Sequence, residues 1–135
     1  PMRWDDARAL EARGARFGAH TVSHPVLAHL DDATAHTELR QSRARLHAEL
    51  TDPSPVFCYP FGEANHLSTT HMELARTCGY ASAVLASAGY VSGAALRSAP
   101  LARYAVPRFA LERNPLRNME IVNGFEHFRG VTTRR

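Results

Sequence analysis

The chain has no lysine, and all 16 of its basic residues are arginines. These are scattered from Arg3 to Arg135, with no basic stripe and no interleaved aromatics, so nucleic acid is not an expected partner and the net charge of +3 reads as a solvated surface. A nucleic-acid binder would also show steep salt dependence. With only two cysteines, Cys58 and Cys78, a disulfide framework is excluded, and both thiols are expected free and partly buried. No apolar run approaches the roughly 20 residues that a membrane-spanning helix requires. No signal-peptide pattern stands at the N-terminus, and no internal repeat is present. The sequence itself assigns no location.

What remains is an ordinary globular composition, 44% hydrophobic and 21% charged over 135 residues, enough for one domain with a real core. Trp4–Gly14 reads as a helix with Asp5 as its cap and Gly14 as its stop. Ala15–His20 reads as a short strand with His20 at its end. The longest helix spans Leu30–Leu50, capped by Asp31 or Asp32. It has Ala35, Leu39, Ser42, Leu46 and Leu50 on one face and Glu38, Arg40, Arg43 and Arg45 largely elsewhere. His36 and His47 fall on its surface. Pro55–Tyr59 reads as a buried strand and Pro60-Phe61-Gly62 as the turn leaving it. A helix opens at Ser68–Glu73, with capping-box spacing between Thr70 and Glu73, and closes at Gly79. Tyr80–Leu85 is a third strand, residues 86–100 a loop, Tyr104–Phe109 a last strand and Leu116–Phe128 a helix. Alternation of this kind implies parallel strands joined by crossover helices. The order opens on a helix rather than a strand, so further sequence is expected ahead of Pro1.

Two short segments carry chemistry. In Gly18-Ala19-His20-Thr21-Val22-Ser23-His24-Pro25, two histidines stand four apart, and neutral imidazole is the commonest protein ligand for zinc. Pro25 disfavours the α region for His24, which places the pair on a strand end and the turn after it rather than on one helix. The helical H-E-x-x-H pattern is excluded, because Thr21 stands where its glutamate would be. Two histidines do not close a hydrolytic site, which takes three protein ligands and a water. On spacing alone the pair reads either as metal ligands or as hydrogen-bonded loop histidines. The second segment is Phe57-Cys58-Tyr59-Pro60-Phe61-Gly62.

Together these residues resemble the polysaccharide deacetylases, the NodB-homology group of carbohydrate esterases. The histidine segment is similar to that family's H-[ST]-x-x-H-P motif, and Tyr59-Pro60-Phe61-Gly62 to its aromatic-proline-aromatic-glycine motif. The Trp4 helix, Leu30-Asp31-Asp32, Gly79-Tyr80 and Val106-Pro107-Arg108 fall in the family's order, over roughly residues 1 to 110. The resemblance implies an α/β fold, here part of a distorted (β/α) barrel. Residues 1–112 would form the C-terminal two-thirds of the deacetylase domain, and residues 113–135 a helix or tail with a basic end. It implies removal of acetyl groups from a polysaccharide of the N-acetylglucosamine type, with zinc or another divalent metal as cofactor. It fits the cell envelope or a secreted protein, with the cytoplasm left open. By the same resemblance His20 and His24 are two of three metal ligands. The Phe61 backbone N–H is an oxyanion donor, and Tyr59, Pro60, Phe61 and Gly62 shape the wall against a sugar ring.

The chain also departs from that pattern. No T-F-D-D-G-type motif, the family's source of the general base and the third metal ligand, precedes His20; Asp5 and Asp6 lie too close to it. The arginine before the proline-aromatic pair is missing, with Val56, Phe57 and Cys58 at the candidate positions, and Arg108 is assigned its place. The later leucine-histidine motif has no clear match. The third ligand is therefore expected outside these residues, and the 135 residues alone are expected to be inactive or impaired. Two rival readings remain. One is a non-catalytic carbohydrate-binding protein of the same fold, using Tyr59, Phe61 and Tyr90. The other is a different metallohydrolase drawing a further ligand from His66, His71 or His127.

Overall fold

The computed structural model describes residues 2–63, 66–111 and 113–123. At its centre β1 (Val56–Cys58) and β2 (Ser82–Val84) pair in parallel, with Val56 opposite Ser82, Phe57 opposite Ala83 and Cys58 opposite Val84. Ala19 bridges Phe57 on one flank and Val106 bridges Val84 on the other, both also parallel. Four segments thus lie side by side in sequence order. Helix α2 (Asp32–Glu49) connects the first to the second, α3 (Thr69–Thr77) the second to the third, and α4 (Gly93–Ser98) lies between the third and fourth. This is the parallel α/β arrangement that the alternation predicts.

The strand expected over Ala15–His20 shrinks to that single bridge, supported by Ser54 N–H to the Phe17 carbonyl at 2.8 Å and Cys58 N–H to the Ala19 carbonyl at 2.9 Å. The approach is close enough to require Gly18: a Cβ there would sit 2.8 Å from the Val56 carbonyl oxygen. Similarly, the strand expected over Tyr104–Phe109 is a bridge at Val106, extended by Arg108 N–H to the Ser87 carbonyl at 3.1 Å.

The helices correct several expectations. In α1 (Trp4–Glu11) the cap residue is Arg3, not Asp5. Asp6, one turn in, reaches back to the Arg3 N–H at 2.9 Å, while Asp5 pairs with Arg8 at 2.6 Å. In α2 the cap is Asp31, accepting the Thr34 N–H at 2.7 Å; the hydrogen bonds from Thr34 hold its carboxyl below the ordinary range. The buried stripe Ala35, Leu39 and Ser42 lies on the expected face, continued by Leu50. His47 is exposed, whereas His36 is half-buried. In α3 the reciprocal cap is Ser68 with His71, not Thr70 with Glu73. The loop expected over 86–100 contains α4, capped by Ser92 on the Ala95 N–H. Helix α5 (Pro115–Val122) starts behind Asn114 and ends at the Asn123 cap, short of the Phe128 expected; residues 124–128 lie outside the described residues. The Tyr90 hydroxyl ties α5 back to the body through the Ile121 carbonyl at 2.8 Å.

Phe57, Tyr59 and Leu39 are the largest fully buried side chains, packed with Ala19, Leu27, Ala35, Ala75, Tyr80 and Ala83. Cys58 and Cys78 are free thiols, both half-buried. Among the described residues no helix is long and apolar enough to cross a membrane.

Candidate active site

His20 follows the Ala19 bridge directly, so the sheet fixes where its side chain starts. Its Nδ1 lies 2.7 Å from the Cys58 carbonyl oxygen. A carbonyl can only accept, so Nδ1 carries the proton and Nε2 of the neutral ring presents a bare lone pair. That Nε2 lies 3.1 Å from Nε2 of His24. Both histidines are exposed, and their rings meet edge to face at 74°. Two imidazole nitrogens sharing one zinc ion at about 2.0–2.1 Å with tetrahedral angles would stand about 3.3 Å apart. The donor set and its spacing therefore fit a metal, and the backbone carbonyl is the usual outer partner of a metal-bound histidine.

The turn between the histidines is unusual. Thr21 and His24 have positive φ, +64° and +59°. The Thr21 hydroxyl donates to the His20 carbonyl and accepts the His24 N–H at 3.1 Å, stapling one histidine to the other. Glu38 of α2 accepts the Val22 N–H at 2.7 Å and the Ser23 N–H at 3.0 Å through one oxygen, and the Ser23 hydroxyl at 2.7 Å through the other. Burial works against the charge on Glu38, but these hydrogen bonds outweigh it and hold its carboxyl below the usual range. On the sequence Glu38 falls off the apolar face. Its one mark there is its place beside the buried stripe, three residues after Ala35 and four before Ser42.

The second segment arrives beside the first. Pro60-Phe61-Gly62 is a three-residue turn closed by Gly62 N–H to the Pro60 carbonyl at 2.7 Å, with Phe61 at φ +57°. The Phe61 ring stands 4.9 Å from the His24 ring and is 52% exposed. No described group accepts the Phe61 N–H. Gly62 is required: a Cβ would lie 2.5 Å from the Ala86 nitrogen. Tyr59 and Pro60 are not a wall against a sugar. Both are buried, and the Tyr59 hydroxyl donates to the Tyr104 carbonyl at 3.0 Å. Tyr59 shares the core face of its strand with Phe57, two residues back. Burial also takes Tyr59 from the sugar-stacking rings of the non-catalytic reading. Gly62 is buried too, which leaves Phe61 as the exposed member of this segment.

Arg108 reaches the site from the fourth parallel segment, its Nη1 lying 3.0 Å from Cys58 Sγ. Cys58 thus faces His20 through its carbonyl and Arg108 through its thiol. His71 is buried at the start of α3 and engaged with Ser68, and His127 lies outside the described residues. Among the described residues no group of three His, Cys, Asp or Glu side chains is gathered to hold a metal.

A parallel α/β sheet carries an exposed imidazole pair at a strand end, beside a strained aromatic turn. The polysaccharide deacetylase family profile matches residues 1–83, and the chain belongs to that family. The fold is similar to that of a solved structure, the Streptococcus pyogenes deacetylase PplD in complex with acetate, with a TM-score of 0.71 at 22% identity. The match covers 84% of this chain and 46% of that one, so the chain spans about half the length of this relative. No curated protein matches the chain.

Proposed function

We infer that the site belongs to a metal-dependent hydrolase that removes acetyl groups from an N-acetylglucosamine-type polysaccharide. The observation that carries this is the convergence of the His20 and His24 Nε2 atoms to 3.1 Å, with His20 locked into the ligating tautomer by Cys58. A divalent ion such as zinc supplies, when bound, acidification of a water and polarisation of the acetyl carbonyl. His20 and His24 would hold it through their Nε2 lone pairs. The Phe61 N–H donates to the carbonyl oxygen as that oxygen gains charge, which needs only a main-chain donor. That no described group accepts this N–H, and that the Phe61 ring stands beside His24, support this role. The exposed Phe61 ring offers an apolar face to a sugar. Arg108 is assigned to orienting a catalytic carboxylate, supported by its contact with Cys58. The two histidines alone make a weak site, because no described carboxylate joins them.

The 135 residues are therefore expected to bind zinc weakly and to release negligible acetate from chitin oligomers. Isothermal titration of the wild-type chain and of His20→Ala, with an acetate-release assay alongside, tests this. Loss of zinc heat in His20→Ala supports the reading. Zinc binding indifferent to His20 refutes the ligand assignment, and robust turnover by the wild-type chain refutes the expected impairment.

A further inference from the structure

Helix α2 delivers one carboxylate to the loop between the two histidines. Glu38 takes both backbone N–H groups of Val22 and Ser23 and the Ser23 hydroxyl, at 2.7, 3.0 and 2.7 Å. Those two residues lie between Thr21 and His24, the two left-handed positions of the turn. No other described group accepts either amide. The origin of the carboxylate is itself fixed, because α2 is capped at Asp31 and buried at Ala35 and Leu39 on either side of Glu38. Glu38 is bonded to neither imidazole. Its whole effect falls on the backbone that aims them.

We propose that Glu38 is a positioning residue for the histidine pair: by clamping Val22 and Ser23 to α2 it holds the strained turn that brings the two Nε2 atoms to 3.1 Å. The proposal rests on the reading of that pair as metal ligands. It explains why the intervening segment keeps two non-glycine residues at positive φ, a conformation that persists only where the surroundings over-determine it.

The test uses the full 135-residue chain and two readouts. The first is free of metal: the NMR contact between the His20 and His24 ring protons. It is expected in the wild type and in Glu38→Gln, whose amide oxygen still accepts the two N–H groups. It is expected to vanish in Glu38→Ala while signals distant from residues 20–24 stay in place. The second is Co2+ affinity by absorbance titration, expected to fall severalfold in Glu38→Ala, with most of it restored in Glu38→Gln. A ring contact that persists in Glu38→Ala, or equal Co2+ affinity in Glu38→Ala and the wild type, overturns the proposal. If Glu38→Ala fails to fold, Glu38→Gln and Ser23→Ala decide it: shifts confined to residues 20–24 support the clamp, and unchanged Val22 and Ser23 amides refute it. Co2+ binding that survives His20→Ala refutes the metal reading instead, and leaves the ring contact to judge Glu38.

Discussion

Thr21, His24 and Phe61 hold positive φ, and all three stand in the site. A β-branched residue in that region is a true outlier, costing on the order of 1–3 kcal/mol. Thr21 offsets this with its hydroxyl, which serves His20 and His24 at once. Thr21→Ser keeps the hydroxyl and removes the branch, so its stability is expected to equal or exceed the wild type by a few tenths of a kcal/mol. Thr21→Val keeps the branch and takes the acceptor from the His24 N–H, an exposed bond, so it is expected to lose about 0.5–1.5 kcal/mol. Urea unfolding of both variants checks the pair, and equal stabilities would show that the hydroxyl contributes nothing. At this scale the sequence displays what has a spacing. His20, His24 and Pro25 are visible because two ligand types and a backbone restriction recur at fixed intervals. Glu38 is not, because its partners are mainly backbone amides, which leave no mark in a sequence. Tyr59 was visible as an aromatic, but its direction depends on strand parity with Phe57, and that parity sends it to the core.

Helix ends show the same division one level up. The periodic stripe of α2 and the apolar runs of β1 and β2 are strong signals, and those elements form within a residue or two of expectation. Caps depend on which of several neighbouring side chains reaches an orphan N–H, and here the geometry picked Asp6 over Asp5 and Ser68 with His71 over Thr70 with Glu73. Helix α4 is short and built from Gly, Ala, Leu, Arg and Ser, with no pattern to separate it from a loop. The α3 cap has a pH consequence. His71 Nδ1 accepts the Ser68 N–H at 3.1 Å, which only the neutral ring can do. Burial holds the His71 pKa below its ordinary 6.5, against the opposing pull of Asp32 and the Leu27 carbonyl. A depressed folded-state pKa means that the full contribution is present above about pH 6.5 and is lost as the pH falls through the folded value. His71→Gln keeps an acceptor at the same position of the capping box. Thermal unfolding from pH 7.5 down to 4.5 is expected to show a steeper loss in the wild type than in His71→Gln. Parallel curves would remove His71 from the acid sensitivity of the molecule.

Across the whole molecule, three buried tyrosines join what the strands alone do not. Tyr59 on the strand-end turn donates to the Tyr104 carbonyl at 3.0 Å. Tyr104 donates to the Tyr80 carbonyl at 3.0 Å, and Tyr80 to the Leu39 carbonyl on α2 at 2.9 Å. The chain of bonds crosses from the sheet to the helix that carries Glu38, so the two motifs and their clamp share one core. The parallel order was legible from the alternation of helix and strand, because short crossovers leave few other topologies. This cross-linking was not, since each hydroxyl meets a carbonyl about 24 to 45 residues away. Burial raises both Tyr59 and Tyr80, the latter to about 12, from an ordinary value of 10. A phenol whose folded pKa is raised contributes stability that is complete below pH 10 and is lost as the pH climbs through the folded value. Ionisation also strips the hydroxyl of the proton it donates, so titration and unfolding are coupled. On raising the pH from 9 to 12, the phenolate absorbance of Tyr59 and Tyr80 is expected to appear together with loss of helical circular dichroism, in one transition. Tyr80→Phe removes one of the coupled groups at the cost of its bond to Leu39. The Leu39 carbonyl keeps the Ser42 hydroxyl, so the variant is expected to lower stability at pH 7 by about 0.5–1.5 kcal/mol and to flatten the fall above pH 10. Phenolate absorbance that reaches its full value while the helical signal stays intact would mean that the tyrosines ionise in place and do not hold the sheet to α2.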